Sequence, residues 1–310
     1  MPHRDTHNAS YDYARFVAVI GIIWFHAHAP GALIGYSGLA FFLMLLVHLA
    51  LPQATKLRDQ AHRAPAVFRY AAARGQRLLW PWLLASIAYG ALKLVEVGRG
   101  APLASEFTMS MWLTGPALHL WFLPFAFAVC LGLWPLGRFL RGAHRHHKTS
   151  LAFLLTGAAL VSLAGAQEAT LAIPLAQWAY ALPCVLFGAA LALMRNRGLH
   201  LLGLLAFFLC AALAANWVRG LPEIGLASLI LILCRLRPLP ATPASHLAAR
   251  WALMLYLIHP AVIAIILRSG VIGEGTTALA LSTALLSCAL LGLWEGLAAP
   301  RLPRRGLRVS

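Results

Sequence analysis

Apolar segments alternate with short polar loops along the whole chain. A helix needs about 20 largely apolar residues to cross a bilayer, and ten segments reach or approach that length. Because backbone groups in lipid must satisfy one another, we predict an all-α, polytopic integral membrane protein with about ten transmembrane helices. The predicted segments are 13–30, 34–52, 78–97, 117–137, 150–166, 172–193, 199–218, 222–236, 250–268 and 277–299.

Composition also indicates that lipid is the solvent. Of the 310 residues, 61% are hydrophobic and 11% are charged, whereas soluble domains carry about 25% charged residues. The net charge of +16 does not predict a nucleic-acid partner, because the basic residues lie in short clusters between apolar segments, as in topology signals. We expect one transmembrane domain over residues 1–310.

Basic residues are distributed unequally between the two sets of alternate loops. Of the 25 Lys and Arg residues, only Arg99, Arg219 and Arg268 fall in one set, and Lys93 lies inside the third segment. The other set includes both termini, so the positive-inside rule places both termini in the cytoplasm. The long basic stretch from Pro52 to Arg77 is expected to lie partly as an interfacial helix.

Cysteines and clustered histidines do not predict a metal site. The five cysteines lie inside apolar segments without metal-ligand spacing and behave there as small hydrophobic residues. His144, His146 and His147 resemble a metal-binding tract, but they are expected to belong to an exposed basic loop.

Ionisable residues occur on the first predicted span, where lipid disfavours them. Arg15 and His26 are eleven residues apart, so they share one helix face about 16 Å apart along the axis. Asp12 precedes Arg15 by one turn and is near enough to pair with it. We interpret this face as functional, since an ionisable group at membrane depth usually marks a site. His28 points nearly the opposite way and is expected to be structural.

Two arginines precede the third predicted span. Arg74 and Arg77, in RGQRLLWPW, would act as ordinary positive-inside anchors. Two arginines one turn apart can also bind a phosphate through paired hydrogen bonds. Their spacing leaves both interpretations open.

Two further motifs place histidines near membrane depth. HLWFLPF puts His119 beside Trp121 at the start of the fourth span, where a tryptophan usually belongs to the interfacial belt. LYLIHP puts Tyr256, His259 and Pro260 inside the ninth span, with His259 near the level of His26. Pro260 frees a backbone carbonyl, which favours a polar cavity at that point.

Two other polar residues have less definite roles. Glu295, near the end of the last span, could neutralise Arg15 or Arg74, or simply mark a boundary. His48, in the second span, has no partner that the sequence suggests.

Together these residues resemble the acyltransferase-3 family of multi-span membrane acyltransferases, of the polysaccharide O-acyltransferase type. YDYARFVAVIGIIWFH is similar to the opening span of that family, and RGQR to its arginine pair. HLWFL and LYLIHP are similar to its two later motifs, and the four occur in the family's order. The chain departs at Phe16, where the family usually has glycine after the arginine.

The resemblance implies that an acyl group passes from cytoplasmic acyl-CoA to a hydroxyl of a cell-surface or exported glycan. Acetyl is the first expectation and succinyl the alternative, with exopolysaccharide or a lipid-linked saccharide as acceptor. Acyl-CoA would be a substrate, and no permanently bound cofactor is expected. The implied location is the bacterial cytoplasmic (inner) membrane.

The resemblance also implies roles for particular residues. His26 matches the essential histidine of the family, supported by Arg15 and Asp12, while Arg74 and Arg77 match its other arginines. His119, Trp121, Tyr256 and His259 would then lie on the acceptor side. His26 could act as a general base or carry the acyl group covalently, and both routes stay open.

Two other function classes fit the same residues. A transporter or flippase for a polysaccharide or lipid-linked intermediate could use these histidines as a proton relay, although its expected inverted repeat is not seen. A membrane subunit that anchors a polysaccharide-assembly complex would need no catalytic histidine.

Overall fold

The computed structural model describes residues 7–56, 65–168 and 170–298, and within those ranges the chain is helical, with no β-strand. Twelve α-helices and one 3-10 helix follow one another. The α-helices are α1 (Ala9–His26), α2 (Ala32–Lys56), α3 (Ala66–Gly98), α4 (Leu103–Glu106), α5 (Met111–Thr114), α6 (Phe122–Phe139), α7 (Arg145–Glu168), α8 (Leu175–Leu193), α9 (Gly198–Ala214), α10 (Leu221–Leu236), α11 (Pro243–Arg268) and α12 (Thr277–Ala298). The 3-10 helix is Leu118–Trp121, directly before α6.

Every predicted apolar segment coincides with a long helix. Among the described residues, seven helices are long and apolar enough to cross a membrane: α2, α3, the 3-10 helix with α6, α7, α8, α11 and α12. The protein is therefore an all-α, multi-pass membrane protein. Helices α1, α9 and α10 have 18, 17 and 16 residues, and the total of about ten crossings stays a prediction.

Exposed apolar surface explains why lipid is needed. In the most apolar 18-residue stretch of α3, no residue is buried inside the protein. In the corresponding stretch of α12, 22% of the residues are buried. Leu285 and Trp294 on α12 are 71% and 70% exposed. A soluble protein rarely presents continuous apolar surface of this extent.

Helix α3 begins much earlier than the apolar pattern predicts. It starts at Ala66 rather than near residue 78, because arginine and alanine are good helix formers and the basic stretch does not interrupt the helix. Arg69, Arg74 and Arg77 therefore lie on α3 itself rather than in a loop. The first residues of the predicted interfacial segment, Pro52 to Lys56, end α2. Residues 57–64, with Arg58 and Arg63, lie outside the described residues, as do Arg4 and the arginines after residue 299.

The described residues divide into two compact units, one made of those up to Leu39 and from Arg237 onward, and the other of those between Ala40 and Leu236. In the first unit, α1 packs against α11 and α12. The start of α2 approaches α1 closely, since a Cβ built on Gly21 would lie 2.8 Å from the carbonyl oxygen of Gly35. Glycines thus allow these two backbones to touch.

In the second unit the helices pack mainly in pairs. Helix α3 packs against α6, α7 against α8, and α9 against α10. Phe187 and Phe208 stack with ring centroids 4.3 Å apart, and Gly188 lets α8 approach Met44 on α2. Arg235 at the end of α10 donates hydrogen bonds to the Leu191 and Met194 carbonyls, at 2.5 and 3.1 Å.

Candidate active site

An ion-paired cluster forms at the N-terminal end of α1. Asp12 is fully buried, and its Oδ1 accepts a hydrogen bond from Arg15 Nη2 at 2.5 Å. The other carboxylate oxygen contacts His7 Nε2. The structure confirms the predicted pairing of Asp12 with Arg15 and adds His7, which lies before the helix.

Several hydrogen bonds hold this end of α1 against the segment before α11. Ser10 Oγ donates to the Arg237 carbonyl at 2.6 Å, and the Ala9 amide donates to the Leu239 carbonyl at 3.0 Å. Tyr13 and Thr242 share a hydrogen bond of 2.7 Å between their hydroxyls. The Thr242 hydroxyl also caps α11, within a capping box formed with Ser245. One set of contacts therefore fixes the beginnings of both α1 and α11.

His26 is the last residue of α1, rather than an interior residue of a span that runs to residue 30. The helix ends there because His28 adopts the left-handed conformation, with φ of 52°. The His26 ring lies 5.1 Å from the His259 ring, centroid to centroid. The prediction that these two histidines lie at a similar level is confirmed by this contact.

His259 is fully buried on α11, and its orientation is fixed by the backbone. Its Nδ1 donates to the Tyr256 carbonyl at 2.8 Å and approaches the Leu255 carbonyl at 3.2 Å. Pro260 has no amide proton, so the carbonyl four residues earlier, that of Tyr256, lacks its usual helical donor. The imidazole supplies that donor, so in the neutral ring Nε2 carries the lone pair.

The sequence led us to expect that the carbonyl freed by Pro260 would favour a polar cavity, but this carbonyl has a hydrogen-bond donor within the helix. Helix α11 continues through Pro260 to Arg268, and the freed carbonyl is taken by the side chain of the preceding residue. The Tyr256 ring is buried with its centroid 6.0 Å from that of His259. His26, Tyr256 and His259 thus form one group of neighbouring side chains in the first unit.

The two arginines of RGQR differ in environment. Arg74 is buried, donates to Gln53 Oε1, and lies over the Tyr70 ring with its guanidinium carbon 5.2 Å from the centroid. Arg77, one turn later on α3, is exposed. One guanidinium is therefore held in place by protein groups, and the other faces outward.

His119 and Trp121 are buried on the 3-10 helix before α6. The His119 ring meets the Tyr89 ring edge to face at 5.2 Å, and Trp121 packs on Phe125 at 5.8 Å. Because Trp121 is only 5% exposed, it is a packed residue rather than a member of an interfacial belt.

The remaining polar residues have local explanations. Glu295 accepts hydrogen bonds from Arg250 at 3.2 and 3.4 Å, and the carboxylate that pairs with Arg15 is that of Asp12. His48 lies half-buried on α2. His144, His146 and His147 have ring centroids within 5.9 Å of one another, yet among the described residues no group of three or more His, Cys, Asp or Glu has the geometry to hold a metal ion.

Comparison with known protein families identifies the family to which the chain belongs. The model of the acyltransferase-3 family, described as an acyltransferase domain, matches residues 8–294. The chain belongs to the acyltransferase-3 family. Searches of the curated proteins and of the solved structures returned no match.

Membership of the acyltransferase-3 family makes the protein a multi-pass membrane acyltransferase. The match extends from Asn8, beside the Asp12 cluster, to the last turns of α12. It therefore includes every residue that the motifs single out.

Proposed function

We propose that this protein is a membrane O-acyltransferase that moves an acyl group from cytoplasmic acyl-CoA to a glycan hydroxyl on the opposite side of the membrane. Acetyl is the group proposed first and succinyl is the alternative. We propose that the chain lies in the cytoplasmic membrane of a bacterium, and the positive-inside rule supports a cytoplasmic location for both termini. The contact between His26 and His259 is the observation that carries the proposal.

His26 is proposed as the base that activates the acceptor. Within the described residues its imidazole has no hydrogen-bond partner, and its ring faces that of His259. The acceptor oxygen attacks the thioester carbonyl carbon while its proton passes to the His26 imidazole. The C–S bond then breaks, and the departing CoA thiolate takes that proton, which restores the neutral imidazole.

His26 could instead carry the acyl group. Its nitrogen would attack the thioester, release CoA as the thiol and form an acyl-imidazole, which the glycan hydroxyl then cleaves. The two routes differ in one observable: only the second accumulates label on the protein when no acceptor is present.

His259 supports either route from the acceptor side. Its tautomer is set by the Tyr256 carbonyl, so its Nε2 presents a lone pair in a fixed direction. We propose that His259, Tyr256, His119 and Trp121 bind or orient the glycan.

Arg74 and Arg77 are proposed to bind the phosphates of the donor, and the charge pattern predicts the cytoplasmic membrane face for these two arginines and for Arg15. Arg77 is exposed, and the contacts of Arg74 with Gln53 and Tyr70 hold its guanidinium in one orientation. A pre-oriented arginine loses less entropy when it binds phosphate than a free one.

The proposal is tested with purified full-length protein in nanodiscs and labelled acetyl-CoA. We expect the wild type to bind acetyl-CoA, His26→Ala to bind it but transfer at least about 100-fold more slowly, and Arg74→Ala to bind it more weakly. His28→Asn and Arg99→Ala are matched controls, since both residues are 65% exposed and asparagine tolerates the conformation of His28.

Two results would count against the proposal. Absence of acetyl-CoA and succinyl-CoA binding by the wild type would remove the donor class. Equal transfer by wild type and His26→Ala would keep the enzyme class and remove His26 from the mechanism.

A further inference from the structure

A cavity of about 430 Å³ opens in the second unit between the middle of α3 and the segment that carries α4 and α5. Its volume falls in the range of about 300–1,000 Å³ that small-molecule sites occupy. Trp82 and Ser86 of α3 line one side, and Phe107, Thr108 and Trp112 line the other. Nothing in the motifs or in the family match assigns a role to these residues.

The walls combine aromatic rings with hydrogen-bonding groups. Three aromatic side chains surround the cavity, and Trp112 among them is 77% exposed. The indole nitrogen of Trp82 and the hydroxyl of Ser86 are buried and have no hydrogen-bond partner within the described part of the chain. Buried polar groups are normally paired, so two unpaired ones in one cavity wall indicate a polar ligand.

Both unpaired groups converge on Gly115. A Cβ built on that glycine would lie 2.9 Å from Ser86 Oγ and 3.2 Å from Trp82 Nε1. The residue also has φ of 77° and ψ of 175°, a conformation that essentially only glycine adopts. The chain therefore keeps side-chain atoms away from the two polar groups.

An ion pair holds the outer wall against α3. Lys93 Nζ donates to Glu106 Oε2 at 2.8 Å, and each side chain is 26% exposed. Glu106 directly precedes Phe107 and Thr108, so this pair positions the wall residues. It also explains a lysine inside an apolar helix, where an unpaired charge is disfavoured.

One face of α3 connects the cavity with the contact between Tyr89 and His119. Trp82, Ser86 and Tyr89 are spaced four and three residues apart on α3, which places them on one face. Tyr89 at the end of that face contacts the His119 ring, and Pro116 of the cavity wall directly precedes the segment that carries His119. The charge pattern puts the loop between the third and fourth spans on the non-cytoplasmic side.

We infer that this cavity binds one pyranose ring of the acceptor glycan. The inference rests on the proposed function, because it supplies a binding site for the acceptor of that reaction. A sugar ring has an apolar C–H face, which packs on aromatic rings, and an edge of hydroxyls, which can pair with the Trp82 indole and Ser86. A lipid chain would use the aromatic walls and leave both polar groups unpaired.

The test measures sugar binding directly, without acyl transfer. Full-length protein in nanodiscs is mixed with methyl glycosides of glucose, galactose, mannose and N-acetylglucosamine, and saturation-transfer NMR detects contact with the sugar C–H protons. We expect at least one glycoside to bind the wild type. Trp112→Ala should weaken that binding about tenfold or more, as loss of an aromatic anchor does, and Ser86→Ala should weaken it severalfold.

Trp294→Ala is the matched control, because Trp294 is 70% exposed on α12 and does not line the cavity. It should bind the same glycoside as well as the wild type. Acetyl-CoA binding, measured on each variant, should stay unchanged and shows that the variants are folded.

Three outcomes would overturn the inference. These are no glycoside binding by the wild type, equal binding by wild type and Trp112→Ala, and competition by an alkyl chain such as decane with no effect of Ser86→Ala. If glycosides bind as expected and acetyl is never transferred, the cavity assignment is supported and the proposed reaction is contradicted. If acetyl is transferred and Trp112→Ala and Ser86→Ala bind glycosides as the wild type does, the reaction is supported and the cavity assignment is contradicted.

Discussion

Asp12 joins the first turn of α1 to the residues that precede the helix. Its carboxylate is fully buried yet both oxygens are engaged, one by Arg15 and the other by His7. Paired in this way, a buried carboxylate is tolerated, whereas an unpaired one is strongly disfavoured. The cluster lies next to the hydrogen bonds that join the start of α1 to the segment before α11.

Removing the Asp12 carboxylate should therefore loosen the first unit. We expect Asp12→Ala to lower the free energy of unfolding by about 1–3 kcal/mol, because Arg15 and His7 lose their acceptor. Thermal unfolding in nanodiscs measures the change. Glu274→Ala is the control, since Glu274 is 66% exposed and lies 3.7 Å from His28, and exposed pairs contribute about 0–1 kcal/mol. An equal effect of both substitutions would contradict the role given to Asp12.

The sequence predicted part of this residue-scale picture. The pair of Asp12 and Arg15 follows from helical spacing alone. The contact of His7 with Asp12 does not, because His7 precedes the helix and its position depends on tertiary packing. The bond from His259 to the Tyr256 carbonyl could have been found, since a residue directly before proline lies beside the carbonyl that proline leaves without a donor.

At the scale of elements, helix positions were predictable and helix ends were not. Each apolar segment became a helix because lipid leaves the backbone few alternatives. The ends depended on groups that hydropathy does not measure. Helix α3 extends twelve residues before the predicted start through a basic stretch, and α11 begins at Pro243, after a Thr242 cap, instead of residue 250.

Close packing of α1 on α2 gives an element-scale prediction. Gly21→Ala would place a methyl group 2.8 Å from the Gly35 carbonyl oxygen, so the two helices must separate. We expect a loss of about 1–3 kcal/mol in unfolding free energy, seen as a lower midpoint of thermal unfolding.

Gly132→Ala is the matched control for that substitution. Gly132 lies within α6 with no atom within 4 Å of the added Cβ, so alanine there should be neutral or stabilise by up to about 1 kcal/mol. A loss of stability in Gly132→Ala as large as in Gly21→Ala would show that helical glycine itself, rather than the α1–α2 contact, is the cause.

At the scale of the whole molecule, the charge pattern predicts the side of the membrane from which each substrate approaches. The ten predicted spans would put the basic loops on one side and the poorly charged loops on the other, so we expect the donor and acceptor to approach from opposite faces. The number of crossings follows from the same alternation, because adding or removing one span would reverse every loop after it.

Cysteine labelling in a cysteine-free background tests this topology. Ala241→Cys lies in the loop between α10 and α11, and Ser269→Cys in the loop between α11 and α12; both positions are exposed. A membrane-impermeant maleimide added to intact spheroplasts should label Ser269→Cys at once and Ala241→Cys only after permeabilisation. The reverse order, or labelling of both in intact spheroplasts, would contradict the predicted orientation.

The central claim is transfer of an acyl group across the membrane with the participation of His26. It is tested most directly with inverted membrane vesicles from bacteria that produce the protein, supplied with radiolabelled acetyl-CoA on the exposed cytoplasmic face. We predict label in the enclosed glycan with wild type and with His28→Asn, and at least about 100-fold less label with His26→Gln. Equal labelling of the glycan by wild type and His26→Gln would contradict the account.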